Sequence, residues 1–215
     1  MIRTIYWDDS GGIERIAELL RQGMLVVCST DTIFGLLAPA SAAGRDALDR
    51  AKGRADQPYL VLVSSKKEAL DLIDASQNHG RLSVLFDACW PGQVTFICQA
   101  ASDAPRDMKA ADGSIAIRMP AHDGLQKLAA SLGSLFSTSA NPSGEPAPCS
   151  PQELDPQVTA QVAAVVIDRP ADKACQSPST IVDCRDNALR IVREGSFPSE
   201  RLRHAAQAAG IPLKE

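Results

Sequence analysis

The sequence predicts an α/β fold built on a mixed sheet with helices on its faces. Short apolar runs alternate along the chain with longer stretches in which apolar residues recur every three to four positions. This alternation of strands and helices is typical of a central sheet covered by helices. The strands near the end of the chain follow one another too closely for helical crossovers, so the sheet should not be parallel throughout.

Each helix is predicted from an apolar stripe or from the residues at its ends. The first is expected to use Ser10 as its cap and to carry Ile13 and Leu20 on one face. The fourth should end before Pro91 and Gly92. The helices are predicted at 10–22, 42–52, 67–73, 81–89, 124–132 and 198–209.

The strands are predicted from short apolar runs bounded by turn residues. They are expected at 24–28, 60–63, 94–98, 114–119, 135–138, 162–167, 179–182 and 189–193. Two segments have no core pattern. The first, 141–151, contains four prolines and a glycine, and the second, 168–178, is mostly polar, so both should be loops.

Composition limits the classes of function. The 215 residues carry a formal net charge of -4. Proteins that hold nucleic acid by broad electrostatics usually have a basic surplus, so an anion site here would be a local group of Lys and Arg. The N-terminus lacks the apolar segment of a signal peptide and no apolar run is long enough for a membrane span, which predicts a cytoplasmic protein.

The cysteines predict no metal site. None of them has C-x-x-C spacing, and no histidine cluster accompanies them, which argues against zinc. In a cytoplasmic protein they are expected to be free, mostly buried thiols. They are Cys28, Cys89, Cys98, Cys149, Cys175 and Cys184.

Hydroxyl side chains directly follow two of the predicted strands. The sequence Ser-Thr-Asp-Thr occupies 29–32, and Ser-Thr-Ser-Ala-Asn occupies 137–141. The first segment alone favours a capped turn between two strands, because these are standard turn residues. The second carries more donors than a plain turn needs, and it is equally compatible with a turn and with a ligand site. A third hydroxyl segment, 177–180, begins a strand.

Cationic side chains accompany these hydroxyl segments: Lys52, Arg54, Arg118 and Arg193. Lys52 and Arg54 flank a glycine at the end of a predicted helix, where cations are favourable without any ligand. Arg118 should lie on the opposite strand face from Ile117, either as a solvated edge residue or as a guanidinium that grips a carboxylate or phosphate. Together the cations and hydroxyls indicate a cavity at the strand ends, where α/β folds bind ligands.

No histidine, cysteine or pair of carboxylates joins these segments, which argues against serine-hydrolase and metallohydrolase chemistry. No metal-ligating residues are assigned. His79, His122 and His204 lie outside the polar segments and are interpreted as ordinary surface or packing residues.

Taken in order, the segments resemble the YrdC-like family of threonylcarbamoyl-AMP synthases. The resemblance runs from about Ile13 to about Gly195 and rests on STDTIFGL, KGR, WPGQVTF, SIAIRMPAH, STSANPSG and SPSTIVD followed by IVREG. It implies a YrdC-like twisted mixed sheet with flanking helices and a concave ligand cavity. It also implies a single domain over 1–215, the short form without a separate C-terminal domain.

The resemblance further implies the roles of individual residues. The K-x-R and S-x-N signatures give the catalytic set Lys52, Arg54, Ser139 and Asn141. The residues implied to hold L-threonine are Thr32, Arg118, Ser137 and Ser179. Those implied to hold ATP are Arg54, Ser114, Ser139 and Arg193, with Lys52 and Asn141 supporting the phosphates.

The activity implied by the resemblance is nucleotidyl transfer from ATP. L-threonine and bicarbonate or CO2 would give a carbamate that attacks the α-phosphate, forming threonylcarbamoyl-AMP and pyrophosphate for t6A37 modification of tRNA. ATP is then a substrate, Mg²⁺ a cofactor and a downstream tRNA threonylcarbamoyl transferase a partner, with no membrane involved. The loops 141–151 and 168–178 are candidate lids.

An alternative is an RNA-binding YrdC- or YciO-like protein with weak or different activity. The related carbamoyl-adenylate domains of hydrogenase maturation proteins carry paired C-x-x-C motifs, which this chain lacks. The chain also departs from the usual family pattern at several positions. Ser29 and Ala55 replace prolines, Phe34 replaces a tyrosine, Pro58 replaces an asparagine, and a hydroxyl is missing near Ala147.

Overall fold

A computed structural model describes residues 3–53, 58–169 and 177–214. The strands are β1 (Arg3–Tyr6), β2 (Leu25–Cys28), β3 (Gly35–Pro39), β4 (Leu60–Leu62), β5 (Val94–Gln99), β6 (Ser114–Arg118), β7 (Leu135–Ser139), β8 (Val162–Ile167), β9 (Thr180–Asp183), β10 (Leu189–Arg193) and β11 (Leu213–Lys214). The helices are α1 (Gly12–Arg21), α2 (Ala42–Lys52), α3 (Lys66–Asp71), α4 (His79–Cys89), α5 (Asp123–Leu132), α6 (Pro156–Thr159) and α7 (Ser199–Ala208).

The described strands form one sheet in the order β1-β8-β2-β3-β7-β4-β6-β5-β9-β10-β11. Parallel pairing joins β4 to β6 and β5 to β9, whereas antiparallel pairing joins β3 to β7 and β5 to β6. The sheet is therefore mixed, as the closely spaced strands near the end of the sequence predict.

Two hydrophobic clusters cover the two faces of this sheet. The larger contains buried residues of α2, α4 and α7 packed on strands from β8 to β9. The smaller contains buried residues of α1 and α5 packed on β1, β8, β2, β3 and the neighbouring parts of β7 and β4. Because α1 and α5 cover only this part of the second face, the β6, β5 and β9 part of that face stays open.

Most predicted elements agree with the structure to within one or two residues. The helix at 42–52 is confirmed because Ser41 accepts a hydrogen bond from the Gly44 amide at 3.2 Å, and Gly53 ends the helix with a φ of 61°. The Ser10 cap is wrong, since α1 begins after Gly11 without a side-chain cap. The sequence analysis also missed β1, β3, α6 and β11.

The cysteine prediction is confirmed in four cases and corrected in one. Free, buried thiols occur at Cys28, Cys89, Cys98 and Cys184. Cys149 is disulfide-bonded, so the expectation of a free thiol is wrong there. Pairing depends on which loops the fold brings together, and spacing in the sequence does not reveal it. Cys175 lies outside the described residues.

The buried thiols should be protected from alkylation in the native protein. Burial raises the pKa of Cys89 to about 12, and it also raises the pKa values of Cys28 and Cys184. Because the thiolate is the reactive form, iodoacetamide at mildly alkaline pH should leave these three unmodified, and complete burial should protect Cys98 as well, as read by peptide mass spectrometry. Denaturation in urea should expose all four, and rapid labelling of the native protein would contradict the prediction.

Among the described residues, no helix combines the length and the apolar character needed to cross a membrane.

Candidate active site

The open part of the second sheet face forms a cavity. Along β6, Ile115 and Ile117 point into the larger core cluster, whereas Ala116 and Arg118 line the cavity. Alternation along β5 likewise directs Thr95 into the cavity wall. The cavity has a volume of about 490 Å³, within the range of small-molecule sites.

The turn between β2 and β3 presents Thr32 to this cavity. The Thr30 hydroxyl accepts a hydrogen bond from the Thr32 amide at 2.9 Å and donates to the Ile33 carbonyl at 2.7 Å. The hydroxyls of Thr30 and Thr32 lie 3.0 Å apart. This segment is therefore a self-capped turn, as predicted, and its two threonines also line the cavity.

Arg118 stands at the end of β6 and is 4% exposed. Its Nε donates to the Gly92 carbonyl at 3.0 Å, and its Nη1 donates to the Thr32 hydroxyl at 3.2 Å. Its Nη2 forms a buried ion pair with the Asp31 carboxylate. These bonds fix the guanidinium without using all of its N–H groups, so donors remain for an anion in the cavity.

Serine and threonine hydroxyls form much of the polar wall. Ser179, the residue before β9, and Thr95 of the neighbouring strand β5 share a hydrogen bond of 2.9 Å and are both buried. Ser137 is 8% exposed and lines the cavity. Within the described part of the chain its hydroxyl has no hydrogen-bond partner. The hydroxyl faces the cavity, so it is available to hydrogen-bond with a polar ligand there.

Lys52, the last residue of α2, binds the segment that follows β7. Its ammonium donates to the Ser139 carbonyl at 2.9 Å and to the Asn141 side-chain oxygen at 3.1 Å. It also donates to the Asn141 carbonyl. The K-x-R and S-x-N signatures, which are almost 90 residues apart in the sequence, therefore meet through Lys52. Lys52 is 4% exposed and braces the wall from behind, while Ser139 and Asn141 line the cavity.

Arg193, the last residue of β10, supplies a second guanidinium. Its Nη2 donates to the Ser179 carbonyl at 2.8 Å. The absence of a side chain at Gly195 allows the chain after β10 to pass this close to the residues before β9, since a Cβ at Gly195 would lie 2.2 Å from the Pro178 carbonyl oxygen. Burial, and next the charge of Arg118, lower the pKa of Arg193. Two like charges therefore share one cavity, which favours an anionic ligand between them.

The structure brings together seven of the residues singled out in the sequence. Those that line the cavity are Thr32, Arg118, Ser137, Ser139, Asn141, Ser179 and Arg193. Ser114 lies at the opposite end of β6 from Arg118, where its hydroxyl donates to Asp112 at 2.6 Å, and it does not line the cavity. Arg54 lies outside the described residues.

A family model described as "Telomere recombination" (Sua5_yciO_yrdC) matches residues 18–195. The chain belongs to the Sua5/YciO/YrdC family. Over 204 residues it is 33% identical to a Mycobacterium tuberculosis protein named "Putative threonylcarbamoyl-AMP synthase", covering 94% of this chain and 91% of the relative. It is 29% identical over 186 residues to the threonylcarbamoyl-AMP synthase of Vibrio cholerae, covering 85% of this chain and 97% of that protein.

Solved structures of the Sua5/YciO/YrdC family confirm the predicted fold. P. abyssi Sua5 complexed with L-threonine matches all of this chain with a TM-score of 0.83 and 24% identity. The match covers 62% of the Sua5 chain, so this chain spans less than two thirds of that relative. E. coli YciO matches 94% of this chain with a TM-score of 0.77 and 21% identity, and 98% of the YciO chain is covered.

Two of the described departures from the family pattern lie at the cavity wall. Ser29, in place of proline, accepts hydrogen bonds from the Trp7 indole at 3.2 Å and from the Asp168 amide at 3.0 Å. It thereby ties the end of β2 to the residue that follows β8. Pro58 and Ala147 line the cavity without side-chain donors. Phe34 is buried in the core, and Ala55 lies outside the described residues.

Sequence reasoning missed part of this Sua5/YciO/YrdC site. Thr95 was not among the predicted site residues, although its position between Val94 and Phe96 places it on the opposite face from those two core residues. Asp31 was treated only as a turn residue, and its pairing with Arg118 spans 87 positions. An apolar floor was also missed, formed by Leu60, Leu62, Ile97, Ala116, Leu125 and Ile181.

Proposed function

We propose that this protein is an L-threonylcarbamoyladenylate synthase, a nucleotidyltransferase that forms threonylcarbamoyl-AMP and pyrophosphate from L-threonine, bicarbonate or CO2, and ATP. The observation that carries the proposal is one cavity that holds two guanidinium groups, Arg118 and Arg193, among buried hydroxyls. Its wall includes Ser139 and Asn141, held by Lys52. Relatives that bear this activity in their names match over most of this chain.

The amino-acid end of the cavity is proposed to lie at Arg118. A guanidinium with spare donors suits the threonine carboxylate, which it can bind through two parallel hydrogen bonds. The hydroxyls of Thr32, Ser137 and Ser179 would serve the polar atoms of the amino acid, since all three residues line the cavity. Leu62 and Leu125 border the cavity as the apolar wall available to the threonine methyl group.

The nucleotide is proposed to occupy the Arg193 side. Arg193 and Arg54 would supply cations for the phosphates, and Ser139 a hydroxyl. Lys52 would act indirectly, because its ammonium already holds both residues of the S-x-N pair. Ile97 and Ile181, on the paired strands β5 and β9, supply apolar side chains of the cavity lining against which a base could pack. Ser114 stays a predicted ATP contact, although it lies beyond the cavity wall.

The reaction needs no nucleophile from the protein. The threonine amine and CO2 form a carbamate, and a carbamate oxygen then attacks the α-phosphorus of ATP as the bond to the β-phosphate oxygen breaks. Pyrophosphate carries away the bonding electrons. The chain would contribute positioning and neutralisation of the growing negative charge, which fixed guanidinium groups such as Arg193 provide in a site shielded from water.

Mg²⁺ is proposed to enter with ATP. Within residues 3–53, 58–169 and 177–214 no cluster of three or more His, Cys, Asp or Glu could hold a metal ion. Mg²⁺ commonly binds through substrate phosphates and one or two carboxylates, and Glu145 supplies a carboxylate residue at the cavity wall beside Asn141. When bound, the ion would offset charge on the polyphosphate.

Further parts of the proposal concern the place of the reaction in the cell. The product would pass to a tRNA threonylcarbamoyl transferase in the cytoplasm. With a net charge of -4, the chain should bind RNA only weakly. Tight, salt-sensitive RNA binding without ATP turnover would favour the alternative of a non-catalytic RNA-binding protein.

Identification of the product tests the proposal. The protein should incorporate labelled bicarbonate and L-threonine into one ATP-derived species with the mass of threonylcarbamoyl-AMP, detected by rapid chromatography because the adenylate hydrolyses easily. Omission of any one of threonine, bicarbonate or ATP should abolish that species. AMP and pyrophosphate formed without a carbonylated threonine adduct would contradict it.

A further inference from the structure

We propose that Asp31 is a positioning residue that sorts the two anionic substrates within the cavity, and that it does so by compensating the charge of Arg118. Asp31 would make the amino-acid end suitable for the carboxylate of a zwitterion and unsuitable for a polyphosphate. The inference rests on the proposed function, because it concerns the cavity at which threonine and ATP would bind together.

Asp31 is held at both of its carboxylate oxygens. One carboxylate oxygen accepts from Arg118 Nη2, and the other accepts from the Ala121 amide at 2.9 Å. The Gln93 side chain donates to the Asp31 carbonyl. Asp31 therefore fixes the guanidinium relative to the start of α5. It does not line the main cavity, so it would reach substrate only through Arg118.

The two guanidinium groups of the cavity differ in whether a carboxylate pairs with them. The ion pair of Arg118 with Asp31 is buried, with side-chain exposures of 5% and 9%. Arg193 instead donates only to the carbonyl and hydroxyl oxygens of Ser179, and no carboxylate of the described residues pairs with it. The Arg118 end is thus formally neutral, whereas the Arg193 end keeps its positive charge.

The charges of the two ligands determine which guanidinium each one should prefer. Zwitterionic threonine adds no net charge, so a neutral ion pair with spare N–H donors can bind its carboxylate by directed hydrogen bonds. A polyphosphate carries several negative charges and gains most where a cation is uncompensated. The polyphosphate should therefore settle at Arg193. Discrimination of this kind uses repulsion against the wrong ligand as well as attraction to the right one.

Calorimetric titration with L-threonine, with and without inorganic tripolyphosphate, tests the role of Asp31 without turnover. The wild-type protein should bind threonine with an affinity that tripolyphosphate leaves unchanged. Asp31→Asn should bind threonine about 10-fold to 100-fold more weakly, because the Arg118 guanidinium loses the carboxylate that fixes its orientation. Tripolyphosphate should then compete with threonine in this variant. Asp183→Asn is the matched control, since Asp183 pairs with Arg185 and Arg190 and does not line the cavity.

A double variant protects the test against a folding defect. Asp31→Asn with Arg118→Met removes both members of the ion pair and should bind threonine as weakly as Arg118→Met alone, since Asp31 acts through Arg118. Additional weakening would overturn the proposal, as would an Asp31→Asn protein with wild-type affinity and no competition by tripolyphosphate. A wild-type protein that binds no threonine would contradict the proposed function itself, and this inference with it.

Discussion

Replacement of Lys52 with alanine is expected to lower the rate of threonylcarbamoyl-AMP formation by about 100-fold, the loss typical when groups that position the reactants are displaced. The ammonium holds the Ser139 carbonyl and both oxygens of Asn141. Without it these buried acceptors lose their partner, and the Ser139 and Asn141 side chains lose their fixed positions at the cavity wall. Steady-state release of pyrophosphate measures the effect.

Lys67→Ala is the matched control for this variant. The Lys67 side chain is 84% exposed and pairs with Asp71 one helical turn away, so its removal should change neither the rate nor the fold. Thermal unfolding should be measured for both variants. A Lys52→Ala protein that folds and keeps a rate within about threefold of wild type would contradict the bracing role assigned to Lys52, since displaced positioning groups cost far more.

Replacement of Arg118 with alanine should raise the KM for L-threonine by about 100-fold or more, because a bidentate charged contact to the carboxylate is lost. The KM for ATP should change much less, since the nucleotide is proposed to lie at Arg193. The variant also leaves Asp31 buried without its partner, at a cost of about 3–5 kcal/mol of stability. The kinetic constants for both substrates are the required measurement.

Arg118→Lys guards against that loss of stability, because it keeps the charge beside Asp31 while removing the paired donor geometry. It should raise the KM for threonine less than alanine does and keep the protein folded. Arg190→Ala is the control, since Arg190 is 63% exposed and pairs with Asp183 outside the cavity. Equal effects of Arg118→Ala on the KM values for threonine and ATP would refute the role of Arg118.

The sequence predicted helices and strands well where local chemistry marks their ends. The helix α2 has a serine cap and a glycine stop, and both are read from single residues. The strand β3 was missed because Gly-Leu-Leu-Ala-Pro is short and nearly all buried, without the alternation that marks a half-buried strand. The start of α1 was misplaced by one to two residues because Gly11, which has no side chain to signal a cap, precedes it.

The candidate site was predicted through its residue types and its resemblance to a family, but its contacts needed the fold. No local pattern shows that Lys52 reaches Ser139 and Asn141, or that Arg118 reaches Asp31. These contacts arise because β6, β4, β7 and β3 are neighbours in the sheet although they are distant in the chain. Which buried polar groups become hydrogen-bond partners therefore depends on that strand order.

Pyrophosphate release from ATP, with bicarbonate and Mg²⁺ and in the presence or absence of L-threonine, tests the central claim most directly. The cavity described above predicts release that depends on threonine and that saturates with it, because threonine supplies the amine from which the attacking carbamate forms. Release that proceeds equally without threonine, or no release with all substrates present, would contradict the assignment of this protein as a threonylcarbamoyl-AMP synthase.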